Sequence, residues 1–279
     1  GADGEVDSGE SIVLELGNNA AAAPRGYLVD QTGGRIVAVD LATKKWIASV
    51  SVGTRPRGIV LLPATKTLWV SNSGSASLSI IDATLLRVTA TVSLPAGSSP
   101  YGVAATPDGS TIYVANFVAA GSVFVIDAAT RTLKATITVG NAPIHLSVSP
   151  DGTRLAVTNF NGNSVSIIDT LTNTVSATVS VPNPSAIGWA NDGRALYVTS
   201  NVLANQGTVT VLDGTVYSVI KTINVGTLPV SLAVSRNGLW VYVANTGSTF
   251  ISKIATDTNT IDSNLSVPAG IQMLAMPHR

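Results

Sequence analysis

The chain has 279 residues, of which 45% are hydrophobic and only 11% charged, with a formal net charge of +0 and no cysteine. Disulfides, thiolate metal sites and cysteine nucleophiles are thereby excluded, and the balanced charge gives no electrostatic argument for nucleic acid or an anionic membrane as partner. No apolar run approaches the roughly 18 residues that a spanning helix needs, so no membrane span is expected.

Residues 1–25 form an irregular N-terminal segment. Gly1 to Glu10 is acidic and Gly-rich, Ile12 to Leu16 has the makings of one short strand, and NNAAAAP from Asn18 to Pro24 reads as a linker. The spacing of Asp3, Asp7 and Glu10 is not that of a calcium-binding EF loop, so the stretch reads as a solvated tail. Heavy use of Ser, Thr, Asn and Gly, with few Lys and hardly any Glu, points to an extracytoplasmic protein, whether periplasmic, cell-surface or secreted. A start of Gly1-Ala2-Asp3, without Met or signal peptide, reads as trimmed or recombinant.

From residue 26 to residue 279 one unit recurs, seen most clearly from Pro100 to Val139. Tyr101 to Thr106 reads as a first strand, and Pro107-Asp108-Gly109 as a turn in which Pro presets φ and Gly takes a positive φ cheaply. Thr111 to Asn116, Ser122 to Asp127 and Leu133 to Val139 are three more, all rich in the Val, Ile, Thr and Tyr that suit a pleated surface. A four-stranded antiparallel sheet of this size cannot cover both of its own faces and needs neighbours like itself.

Two independent registers count the units. The Asp closing the third strand recurs as Asp40, Asp82, Asp127, Asp169 and Asp213, and a sixth position is Ala255. The Pro opening the first strand recurs as Pro56, Pro100, Pro143, Pro184, Pro229 and Pro268. Gly26 to Asp30 aligns with Leu68 to Asn72, so the strand from Gly270 to Met276 is expected to complete the blade begun between Tyr27 and Val52. The expectation is an all-β, six-bladed β-propeller of four-stranded antiparallel blades, closed by pairing the C-terminal strand with the N-terminal blade. Ile12 to Leu16 would then be an extra strand on a blade edge. Seven blades is the alternative, and needs around 40 residues that 1–25 do not supply.

The segments PDGSTIYVAN, PDGTRLAVTN and NDGRALYVTS, followed by VSIID-like runs, resemble the YVTN-repeat family of β-propellers of bacterial and archaeal surface-layer and periplasmic proteins. The resemblance covers residues 26–279 and implies a propeller, with WD40-like repetition, at the cell surface or in the periplasm. It carries no agreed activity, although related lactonase-like and haem d1-binding propellers host chemistry on the same scaffold.

The recurrent Asp residues fit Asx-type turns, accepting backbone N–H groups one to three residues on, and a residue that every repeat needs serves the repeat. The face carrying second-strand ends and first-strand starts collects Asp30, Asn72, Asn116, Asn159, Asn201 and Asn245, together with residues that differ between blades. The candidate ligand-binding residues are Asp30, Arg55, Arg57, Tyr101, Asn116, Phe117, His145, Asn159, Phe160 and Trp189. Arg and aromatic side chains at one rim suit stacking on sugars or single-stranded bases, with glycan ahead of nucleic acid because of the charge balance.

A carboxylate census weighs against an enzyme. All three Glu (Glu5, Glu10, Glu15) lie in the N-terminal segment, the repeats place their Asp in turns, and Asp30 alone falls on the channel face. The pair of carboxyl groups that glycoside hydrolysis requires is missing. Neither GxSxG nor GxxxxGK[ST] occurs. No catalytic residue, metal ligand or cofactor is therefore assigned, and the sequence favours a binding or cell-surface scaffold module whose partner is a glycan or another protein. The competing reading is a lactonase-like hydrolase or lyase using Asp30, Asn116, Asn159 and His145 at the channel mouth, where hard cations would want such oxygen donors.

Overall fold

The computed structural model describes residues 12–15, 25–43, 45–203 and 206–267. These form six four-stranded antiparallel sheets and no helix, each built from four consecutive strands. Blade 1 comprises β1 (Ile12–Glu15), β2 (Arg25–Asp30), β3 (Arg35–Asp40) and β4 (Lys45–Ser51), and blade 2 comprises β5 (Pro56–Leu62), β6 (Thr67–Asn72), β7 (Ser77–Asp82) and β8 (Arg87–Ser93). Blade 3 follows with β9 (Pro100–Ala105), β10 (Thr111–Asn116), β11 (Ser122–Asp127) and β12 (Thr132–Thr138), and blade 4 with β13 (Pro143–Val148), β14 (Arg154–Asn159), β15 (Ser164–Asp169) and β16 (Thr174–Ser180). Blade 5 holds β17 (Pro184–Trp189), β18 (Ala195–Leu203), β19 (Gln206–Asp213) and β20 (Val219–Val225), and blade 6 β21 (Pro229–Val234), β22 (Trp240–Asn245), β23 (Phe250–Ala255) and β24 (Thr260–Ser266).

The first strands of successive blades lie against one another around an axis, while the fourth strands splay at the rim. Burial follows this order. The second and third strands are sandwiched between two neighbours and read as near-continuous apolar runs, whereas the fourth strands face water and carry Thr, Ser, Lys and Arg. Each described core sits between two blades: Tyr27, Val29 and Ile36 with Leu68, Val70 and Ile81, then Trp69 and Ile80 with Ile112, Phe124 and Ile126, and so on round to Tyr197 and Val211 with Val241, Val243 and Ile254. At roughly 1.5–3 kcal/mol per fully buried side chain, these faces are what a lone blade would lose.

The third-to-fourth turns explain the repeated Asp. Asp82 Oδ1 accepts the N–H groups of Thr84 and Leu85, both at 2.8 Å, and Asp40, Asp169 and Asp213 repeat the pattern. Four residues on, Leu86, Arg131, Asn173 and Tyr217 sit at φ +51 to +60, a left-handed conformation unfavourable for a residue with Cβ. The carboxylate bonds offset that cost, and a bulge in each fourth strand absorbs the extra residue.

One expectation is corrected. The innermost position of blade 1 is filled by β1, with Ile12 opposite Leu28 and Glu15 opposite Arg25, so this strand is no edge addition. A short apolar strand joined to β2 by nine residues closes a far smaller loop than one some 240 residues away. The segment Gly270 to Met276, expected in that position, lies outside the described residues.

Blade 6 departs from the repeat in one further way. The third-strand position opposite the second-strand aromatic is Ile80, Val125 or Val211 in blades 2, 3 and 5, but Lys253 in blade 6. Lys253 Nζ lies 3.5 Å from the Trp240 ring centroid and 2.8 Å from Asp262 Oδ2, which makes this face more polar than its counterparts.

Candidate functional site

First strands begin, and second strands end, on one face of the molecule. Just inside that face every first strand from blade 2 onward loses its register with the second strand. Pro56 pairs with Asn72 and Ile59 with Val70, so Arg57 and Gly58 together oppose Ser71. In blade 4 Ile144 and His145 oppose Thr158, and in blade 5 Ser185 and Ala186 oppose Thr199. A bulge leaves a backbone N–H without its ladder partner. The opposing hydroxyl supplies one: Gly58 N–H donates to Ser71 Oγ at 2.8 Å, His145 N–H to Thr158 Oγ1 at 3.1 Å, and Ala186 N–H to Thr199 Oγ1 at 2.8 Å.

The same hydroxyls tie neighbouring blades together at the axis. Ser71 Oγ donates to the Tyr101 carbonyl, and Thr158 Oγ1 to the Ser185 carbonyl at 2.8 Å. The approach is close enough that a methyl group on Gly58 would lie 2.5 Å from the Tyr101 oxygen. The Ser71 bond fixes Arg57 beside Tyr101, and an equally close approach of Gly102 to the Ile144 carbonyl sets His145 beside them in the third blade.

Their side chains meet. The Arg57 guanidinium carbon lies 4.9 Å from the Tyr101 ring centroid, Phe117 is 5.5 Å from Tyr101 at an interplanar angle of 41°, and His145 meets Tyr101 edge-on at 6.3 Å. All four keep partial exposure. The surroundings strip solvent from His145, which penalises the imidazolium and pushes its pKa down to about 4. At neutral pH it is therefore an uncharged donor and acceptor.

Phe117 stands at a corner position that every blade from 2 onward holds by the same backbone bond, but the turn leading into it differs in blade 3. In blades 2, 4, 5 and 6 the residue before the opening proline (Arg55, Ala142, Asn183, Leu228) has φ between +41 and +53. In blade 3 Gly97, at φ +80, makes the turn instead. Ser99 N–H is then free to donate to Asn116 Oδ1 at 2.8 Å, and the Ser99 carbonyl accepts the Phe117 N–H at 2.8 Å.

The other candidates fall elsewhere. Asp30 Oδ2 accepts a 2.6 Å bond from Arg35 Nε, and its Oδ1 takes the Gly33 N–H. Asn159 is fully buried, its amide donating to Ser164 Oγ at 3.1 Å and Ser166 Oγ at 2.9 Å; that of Asn116 donates to Ser122 Oγ. Arg55 is exposed on the same face, with its carbonyl accepting from Ser73. Phe160 stands at the equivalent corner of blade 4, its N–H donating to the Ala142 carbonyl at 3.0 Å. Asn201 falls one residue beyond the strand-end position, which Ser200 occupies opposite Pro184. Trp189 ends β17 at the opposite face, buried against blade 4, with Nε1 donating to the Ser147 carbonyl at 3.0 Å and one side on a cleft between Asp151, Arg154, Asp192 and Arg194. The structure thus assembles Arg57, Tyr101, Phe117 and His145, and separates Trp189 from them.

Charge is segregated between the faces. Among the described residues the mouth face carries Arg35, Arg55 and Arg57 against one acid, Asp30, which is held by Arg35. Every other described aspartate lies towards the opposite face, where turn hydrogen bonds hold Asp82, Asp108, Asp127 and Asp213 below the usual carboxylate range. No group of three or more His, Asp or Glu among the described residues is arranged to hold a metal ion. No helix among them is long and apolar enough to cross a membrane.

Comparison with known proteins agrees with a propeller, though not on the number of blades. A lactonase family, described as a 7-bladed β-propeller, matches residues 82–181. Hydrazine synthase of Kuenenia stuttgartiensis superposes with a TM-score of 0.82 at 18% identity, over 96% of this chain and 90% of that one. The fold is that of a β-propeller. A functionally unknown protein from Desulfotomaculum acetoxidans DSM 771 gives 0.73 at 16% identity, over 91% of this chain and 86% of that one. No curated protein matches the sequence of this propeller.

The bulge hydroxyls escaped sequence reading. Their signal is a small hydroxyl residue immediately before the strand-end polar position, as in Ser71-Asn72, Thr158-Asn159 and Thr199-Ser200. It is visible once the opposing bulge is known.

Proposed function

We propose that this propeller is a non-enzymatic ligand-binding module whose ligand, a glycan or similar extended polymer, docks at the channel mouth on Arg57, Tyr101, Phe117 and His145. The observation that carries the reading is the convergence of these four side chains from bulge and corner positions of three successive blades. An aromatic pair beside a guanidinium is suited to stacking and hydrogen bonding on a polyol, and an uncharged imidazole adds a donor and an acceptor. The repeat pattern resembling YVTN propellers supports an extracytoplasmic module of the surface-layer kind. A glycan array probed with wild type, Arg57→Ala and Tyr101→Ala tests this: both variants lose the signal while remaining folded, and equal binding by all three rejects the site.

A lactonase-like reading draws on the family match over residues 82–181. Against it, Asp30 is engaged by Arg35, and Asn159 is fully buried, its NH2 group donating within its blade while Oδ1 is left unpaired. Hydrolysis of a lactone panel with added calcium or zinc, lost on His145→Ala, would place the enzyme reading ahead.

A further inference from the structure

We infer that the ligand of this mouth carries a carboxylate on a saturated ring, the chemistry of a uronate-containing oligosaccharide, with the acid group on Arg57 and the ring face against Tyr101 and Phe117. The inference rests on the mouth being a ligand site and narrows what that site takes.

Three observations carry it. First, the mouth face holds three arginines and one aspartate among the described residues, and that aspartate is neutralised by Arg35, so the local field favours an anion although the whole chain has a net charge of +0. Second, Arg57 is placed by its bulge and lies over the Tyr101 ring 4.9 Å from the centroid, so a guanidinium, the group best matched to a carboxylate, stands directly beside the aromatic pair. Third, Tyr101 and Phe117 are inclined at 41° with centroids 5.5 Å apart. That corner offers no slot for a flat aromatic ring, whereas a pyranose, or two successive ones, presents C–H faces to both rings. A nucleic acid fits less well. A phosphate backbone wants a row of cations, and of the three arginines on this face Arg35 is paired with Asp30 and Arg57 alone is stacked on the aromatic cluster.

The test is calorimetric titration of the full chain with trigalacturonate, its fully methyl-esterified form, a neutral trisaccharide and a single-stranded oligothymidylate. Trigalacturonate is expected to bind at least tenfold tighter than the ester, and 0.5 M salt to remove most of that difference (an order-of-magnitude expectation from charge-assisted bonding). Arg57→Gln should erase the preference by weakening the acid alone, whereas Phe117→Leu should weaken acid and ester alike. Equal binding of acid and ester, or a neutral trisaccharide bound through Tyr101, overturns the carboxylate inference and leaves the mouth as a sugar site. Tighter binding of the oligothymidylate overturns it in favour of nucleic acid. Binding of none of the four overturns both it and the site. A thermal melt of each variant verifies that the fold is retained.

Discussion

Arg57 of blade 2 lies over the ring of Tyr101 in blade 3, with the guanidinium carbon 4.9 Å from the ring centroid, and the backbone beneath them is joined by Ser71 Oγ donating to the Tyr101 carbonyl. The two residues occupy equivalent positions in successive repeats, so the pairing is a property of the interface and of neither blade alone. A double-mutant cycle of Arg57→Ala and Tyr101→Leu in urea should give a coupling of about 0.5–1 kcal/mol. Additive single effects would show that the stacking contributes nothing.

His145 predicts an acid-side loss of stability. Its folded pKa is depressed from 6.5 to about 4 by burial, so the unfolded chain binds the extra proton first. The stability is fully present above about pH 6.5, falls as pH drops from there to about 4, and the decline amounts to at most about 3 kcal/mol. The turn aspartates act in a lower window, because their folded pKa values lie below 3.8 and their contribution persists until the pH falls past that value. Urea midpoints at pH 7.5 and 4.5 should therefore differ for wild type and converge for His145→Gln.

Thr158 is expected to matter more than its size suggests. Its hydroxyl accepts from His145 N–H and donates to the Ser185 carbonyl, so Thr158→Val leaves a buried donor and a buried acceptor unpaired at an inter-blade contact. The cost should be about 2–4 kcal/mol, at one to three per stranded group with partial relaxation. Thr158→Ser, which keeps the hydroxyl, should recover most of it.

Gly102 and Gly97 should respond to alanine for different reasons. A methyl group on Gly102 would run into the Ile144 carbonyl and crowd His145 Cα, forcing β9 and β13 apart. Gly97 has open space around it but sits at φ +80. Gly102→Ala should therefore cost several kcal/mol, of order 2–4, and disturb ligand binding at the mouth, whereas Gly97→Ala should cost about 1 kcal/mol of backbone strain. Chemical denaturation separates the two.

Tyr197 in blade 5 latches its neighbour, its hydroxyl donating to Asn259 Oδ1 of blade 6 at 2.8 Å, and burial raises its pKa to about 12. Tyr197→Phe keeps the packing and removes that bond, so a loss of about 1 kcal/mol is expected. In an amide-exchange experiment the faster opening should appear in blade 6 first.

The sequence by itself determined the blades. Asp82, Asp127 and their counterparts announce the third-to-fourth turn because in five of the six blades a carboxylate answers the N–H groups there, and apolar second and third strands announce sheets that need neighbours on both faces. Such rules are local and recur with every repeat, which is why they could be counted. Only the tertiary structure decided which strand heads blade 1, that Trp189 belongs to the opposite face, and that Arg57, Tyr101, Phe117 and His145 share one mouth. Those outcomes depend on bulges that shift register by one residue and on close backbone approach between blades, and neither leaves a mark in a single repeat read alone.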